Sequence, residues 1–170
     1  SAPVLFAIAL SVAACWSAAS AQAQGVAYVS SEKDNALTLI DMRTLAVTGT
    51  LPTCKRPRHL LRSPDGKQLM TACGDSNQAD VIDIASGKSA RRIPLGDDPE
   101  AFDLSPDGKT LYVSNEEDGA LSFVDAATGK IRASVKVGKE PEGVKVSADG
   151  KTVYVTSEAA NLVHVIDTAS

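Results

Sequence analysis

Three short loops in this chain carry the residues best suited to chemistry. They read Cys54-Lys55-Arg56-Pro57-Arg58-His59, Gly96-Asp97-Asp98-Pro99-Glu100-Ala101 and Gly138-Lys139-Glu140-Pro141-Glu142-Gly143. Each begins 42 residues after the one before; the Pro is constant while the charges beside it change sign. Arg56 and Arg58 stand where the later loops have Asp98 and Glu100, then Glu140 and Glu142. Guanidinium forks suit carboxylate or phosphate groups. Arg56, Arg58 and His59 are therefore candidate contacts for a small anionic ligand, with Glu100 and Glu142 as counter-charges. The competing reading pairs Arg58 with Glu100 and involves no ligand, since loop charges are ordinarily solvated or paired.

The elements that position these loops follow from the same spacing. Ser105-Pro106-Asp107-Gly108 is a turn with a mechanism: Pro presets one backbone angle, Asp bonds its own backbone, and Gly accepts a positive φ. The β-favouring run Thr110-Leu111-Tyr112-Val113 follows, then the hairpin signal Asp118-Gly119 and a returning strand from Leu121 to Val124. Shifted by 42 residues, the turn recurs at Ser63-Pro64-Asp65-Gly66 and Ser147-Ala148-Asp149-Gly150. The hairpin residue recurs as Asn35, Asn77, Gly119 and Asn161, and an aspartate closes the next strand at Asp41, Asp83, Asp125 and Asp167. Four strands per unit at this period predict an all-β fold, a β-propeller of four-stranded antiparallel blades. The blades fall at about 25–51, 56–95, 98–137 and 140–170. The first lacks an opening strand and the fourth a closing one, so about three and a half blades are expected, with the remaining blades of the chain beyond them. The proline loops would then surround one end of the central channel.

The recurring aspartates are read as turn and capping residues. They resemble neither a calcium loop, which needs alternating oxygen ligands, nor a pair of catalytic acids. His59 and His164 are far apart in sequence, so no zinc-type site is expected, and no catalytic residue is assigned. Cys54 precedes the second blade and Cys73 ends its second strand. Both positions belong to the same propeller face, which makes them disulfide candidates in an oxidising compartment.

Tyr112-Val113-Ser114-Asn115 and Tyr154-Val155-Thr156-Ser157, each after an S-x-D-G-K turn, resemble the repeat of the YVTN family of β-propellers. The resemblance covers roughly residues 25–170. Relatives of this family are commonly seven-bladed, so the chain is expected to supply the N-terminal half of such a ring. Arg56-Pro57-Arg58 and Cys73 are similar to features of the propellers associated with pyrroloquinoline quinone (PQQ)-dependent catabolism. That likeness implies PQQ, a tricarboxylate, as a ligand, or a periplasmic quinoprotein dehydrogenase as a partner.

Upstream, Pro3 to Ala14 is an apolar run too short to span a bilayer comfortably, followed by Ala21-Gln22-Ala23. Residues 1–23 thus read as a secretory signal with export to the periplasm or beyond, and Val12-Ala13-Ala14-Cys15 offers the alternative of lipid anchoring at Cys15. No transmembrane helix is expected in the mature chain. A net charge of −4 argues against a nucleic-acid partner. The expected function is a non-enzymatic, exported binding or accessory protein. The alternatives are a propeller enzyme, lactonase-like or haem/copper reductase-like, with its site in further blades, and an envelope adhesion or assembly protein.

Overall fold

The computed structural model describes residues 25–169; the export signal read at 1–23, and the anchor at Cys15, lie outside the described residues. Among the described residues fourteen strands follow one another in four sheets. The first holds β1 (Val26–Ser31), β2 (Ala36–Asp41) and β3 (Val47–Pro52). The second holds β4 (Pro57–Arg62), β5 (Gln68–Cys73), β6 (Gln78–Asp83) and β7 (Lys88–Pro94). The third holds β8 (Pro99–Leu104), β9 (Thr110–Asn115), β10 (Ala120–Asp125) and β11 (Ile131–Lys136). The fourth holds β12 (Pro141–Val146), β13 (Thr152–Ser157) and β14 (Leu162–Asp167). Within every sheet the strands lie in chain order and pair antiparallel, so each sheet is a meander, a propeller blade. Among the described residues no helix is long and apolar enough to cross a membrane.

The local causes repeat with the sequence. In each S-x-D-G turn the Gly N–H closes on the Ser carbonyl, at 2.8 Å for Gly66 and Gly108 and 2.9 Å for Gly150. The Ser hydroxyl donates to the Asp carboxylate, at 2.6 Å for Ser63–Asp65 and 2.7 Å for Ser105–Asp107 and Ser147–Asp149. That bond holds all three carboxyls below their ordinary pKa. Asp125 anchors the outer turn through Thr128 and Arg132, and its pKa falls to about 2, the backbone bond from Thr128 contributing most.

One irregularity shapes the channel end of the blades. The register between first and second strands slips between Pro57 and Leu60, between Pro99 and Ala101, and between Pro141 and Val144. A bulge at that point re-aims side chains. It sits at Arg58, Glu100 and Glu142, at the start of strands β4, β8 and β12, which pack against one another in that order.

No blade has a core of its own. Met70, Val81 and Ile93 of the second blade pack with Phe102, Leu111 and Val113 of the third. Tyr112 and Leu121 of the third pack with Val144, Val153 and Val155 of the fourth. Leu37 of the first meets Leu69 and Ile82 of the second. The end blades show the reverse face: Leu162, Val163 and Val165 on β14 are exposed, as are Val26 and Val29 on β1.

Leu45 has φ 58°, at the repeat position held elsewhere by Gly87 and Gly129, and it is exposed. A left-handed backbone costs a non-glycine residue about 1 kcal/mol. Leu45→Gly should therefore raise unfolding stability by roughly 0.5–1 kcal/mol, read as a higher denaturant midpoint at unchanged m-value.

Candidate functional site

Arg56, Arg58, Glu100 and Glu142 converge at one end of the channel. Arg56 precedes β4 in a left-handed conformation, φ 55°, as do Asp98 at 45° and Glu140 at 53° before β8 and β12. The unusual backbone is held from the preceding blade. Asn35 accepts the Arg56 N–H at 2.9 Å, and Asn77 accepts the Asp98 N–H at 3.2 Å. From behind, Gly74 donates to the Arg56 carbonyl and Glu116 to the Asp98 carbonyl, both at 3.0 Å. The same loop is pinned covalently: Cys54 and Cys73 form a disulfide with a Cα–Cα distance of 5.8 Å. In the third blade Gly96 and Asn115 hold the equivalent positions, and the Asn115 amide lies directly over Gly96.

Charge at this end is crowded and unequal. Arg56 donates from Nη1 to both Asp98 oxygens, at 3.0 and 3.1 Å, and lies 3.6 Å from each of Glu32, Asp75 and Glu100. Arg58 contacts Glu100 closely through Nε, and stands 3.8 Å from Glu142 and 4.0 Å from Glu32. Glu116 completes the group, with its carboxylate beside those of Asp98 and Glu100. Two guanidiniums thus face six carboxylates drawn from four blades. Glu32, Asp75 and Glu116 are not legible as site residues in the sequence: they sit in the β1–β2, β5–β6 and β9–β10 connections, where isolated acids are ordinary. Repeat arithmetic is the available signal, since Glu32, Gly74, Glu116 and Glu158 occupy one position. A side chain at Gly74 would run into the Asp98 carboxylate and Arg56.

Glu100 is the least satisfied member of this group. Its side chain is 2% exposed, and its Oε1 has no hydrogen-bond partner. Its pKa is pushed up to about 8, by burial first and then by the neighbouring Glu116 carboxyl; Arg58 opposes the rise and Glu142 adds to it. Glu142 is raised as well, again by burial first.

His59 is placed apart from the guanidiniums. Its ring meets Phe102 of the next blade edge-to-face, centroids 5.4 Å apart, and burial lowers its pKa. Below it the channel strands carry another cross-blade pair, Lys145 Nζ to Asp103 Oδ2 at 2.8 Å. His164, with a buried Nε2 lacking a partner, lies on β14. Beside the charged group is an open cleft of 480 Å³ between the third and fourth blades, lined by Glu116, Glu117, Asp118, Lys136, Lys139 and Glu140 among others. It opens where Gly119 replaces the bridging Asn of the earlier blades; a Cβ there would come within 2.6 Å of the Gly138 carbonyl.

A model of YNCE-like β-propellers matches residues 8–103, more than half of the chain. The chain belongs to the YNCE-like β-propeller family. The match begins inside the stretch read as an export signal. A chain of the hydrazine synthase of Kuenenia stuttgartiensis is similar in structure, with a TM-score of 0.73 at 28% identity over 85% of this chain. The similarity covers 43% of that chain, so the present one spans less than half its length. Comparison with curated proteins gives no match.

Two expectations follow for this YNCE-like propeller. Because Glu100 binds its proton more tightly when folded than the ordinary value of 4.5, its contribution to stability is present below that value. It is lost as pH rises through about 8. Arg58→Ala should cost about 3 kcal/mol at pH 9, where the buried Glu100 loses the guanidinium that favours its charged form, and less than half of that at pH 5. Adding Glu100→Gln should restore most of the loss at pH 9, in denaturant titrations at both pH values. Replacing Cys54 and Cys73 together with Ala should cost about 3 kcal/mol, and reducing agent should then no longer affect the midpoint.

Proposed function

We propose that this YNCE-like propeller segment belongs to an exported, non-enzymatic binding protein, an accessory to periplasmic PQQ-dependent alcohol or aldehyde oxidation. The observation that carries the binding role is the charged channel end. There the repeat abandons its constant residues, and four blades contribute loops to one surface. A structural residue recurs with the period, whereas Arg56 and Arg58 break it, standing where the next two blades carry Asp98 and Glu100, then Glu140 and Glu142. Export is supported by the sequence of residues 1–23 and by the Cys54–Cys73 disulfide, which suits an oxidising compartment.

The chemistry of this surface favours a protein partner over a free anion. Arg56 and Arg58 already face an excess of carboxylates, so a tricarboxylate such as PQQ would have to displace Asp98 and Glu100 against the repulsion of the others. We therefore assign the docking role to the acidic rim, Glu32, Asp75, Glu116 and Glu142 with Glu117 and Asp118 beside them, and the partner to a quinoprotein dehydrogenase with a basic patch. A second reading makes the segment part of an enzyme, and the structural similarity to a chain of hydrazine synthase favours it.

The test uses the full-length, oxidised protein and a purified PQQ-dependent alcohol dehydrogenase. Binding measured by interferometry should weaken at least tenfold between about 50 and 500 mM salt, and again when Glu117 and Asp118 are both changed to Lys. Absence of binding at any salt would sink the docking role. Turnover of alcohol or lactone by the propeller itself would establish the enzyme reading. Calorimetric binding of PQQ that disappears in an Arg56→Ala/Arg58→Ala protein would move the role from docking to carriage.

A further inference from the structure

We propose that Asp98, Glu100 and Glu116 form a site for a hard divalent cation, calcium first among them, at the channel end of the third blade. One carboxylate oxygen from each lies within 4.8 Å of the other two. Carboxylates at that spacing can close on a single shared ion at calcium–oxygen distances of roughly 2.3–2.6 Å.

Acidic clusters are common on protein surfaces without any ion, and Glu100 separates this one from them. Its side chain is 2% exposed; Arg58 holds Oε2, while Oε1 has no hydrogen-bond partner. A desolvated carboxylate oxygen left in this state is costly. It lies among two further carboxylates, so what it lacks is a donor or cation at bonding distance. Arg56 does not fill that place, since its Nη2 stays 3.6 Å from Glu100 and its Nη1 is committed to Asp98.

The surrounding geometry accommodates an ion. Arg56 keeps Glu32 and Asp75 as neighbours if Asp98 turns to a cation, and Arg58 keeps Glu142 and Glu32. All three ligands come from one blade. Asp98 precedes β8, Glu100 lies in it, and Glu116 follows β9, the Glu116 N–H closing on the Asp98 carbonyl at 3.0 Å. The constellation is thus fixed by a single strand pair and its bulge. Glu116 also lines the 480 Å³ cleft, which supplies an entry path and water for the rest of the shell. An all-oxygen, incompletely enclosed shell suits calcium, which tolerates irregular coordination; magnesium demands near-octahedral geometry, and zinc prefers nitrogen or sulfur.

This cation site does not depend on the accessory role and is tested without a partner. Full-length protein stripped with chelator is titrated with CaCl₂ at about pH 8.5, where the carboxylates are available as ligands. One ion per chain is expected, with a dissociation constant of about 0.1–1 mM as in extracellular calcium modules, and a rise in melting temperature. Glu116→Gln, at a half-buried position, should weaken binding at least tenfold, while Glu158→Gln, exposed at the same repeat position in the fourth blade, leaves the affinity unchanged. Terbium luminescence should be lost in parallel in the Glu116 variant. No heat and no melting shift up to about 10 mM calcium in the folded wild type would overturn the proposal. Calcium affinity that Glu116→Gln leaves intact would overturn it too, because the ion would then bind elsewhere.

Discussion

Every blade buries its faces only against its neighbours, and the rest of the structure depends on that constraint. Phe102, fully buried, packs in a cluster built from residues of the second blade and of its own. A sheet of three or four short strands has too little apolar area to hold itself together. The contact between blades therefore supplies most of the hydrophobic stabilisation, at roughly 25 cal/mol per Å² buried. The same contact fixes how far apart the proline loops stand. Arg58 can reach Glu100 because β4 and β8 are packed side by side, and Glu142 follows from the packing of β8 on β12.

The charged end is therefore a product of ring geometry acting on loops that are locally ordinary. Burying Glu100 without a full set of partners opposes stability, and the molecule tolerates it because the apolar contacts beneath are extensive. Arg58 limits the cost without removing it, which is why the carboxyl still titrates near 8. Polar groups half-satisfied inside an otherwise regular fold are where a structure spends stability on something other than folding.

The architecture is legible in the sequence because its signals are local and repeated. The Ser-x-Asp-Gly turns, the Asn or Gly hairpin residues and the strand-closing aspartates each specify backbone geometry by their own chemistry. Recurrence at 42 residues turns those signals into blades. The site is only partly legible. Arg56 and Arg58 show themselves by breaking the repeat, and Glu100 and Glu142 by standing opposite Arg58 in it, but Glu32, Asp75 and Glu116 join them through folding. Spacing alone makes His59 a third member beside the arginines. The bulge after Pro57 instead sets its ring against Phe102, and a bulge leaves no trace in the hydrophobic alternation of six residues. Asp103 and Lys145 give no signal for the same kind of reason, being single charges on strands of different blades that only the packing of β8 on β12 brings together.

Arg56, Asp98 and Glu140, each just before a proline, share one backbone conformation although one is a cation and two are anions. Their φ angles are imposed by main-chain bonds and, in two of the three, by an asparagine from the blade behind. Side-chain identity at this position is thereby uncoupled from folding. The second, third and fourth blades thus carry a set of interchangeable addresses, one each, and the sign written at each can change without rebuilding the scaffold. Such a layout lets a propeller acquire a new electrostatic signature by point substitution, and gives a designer the same alphabet to write with.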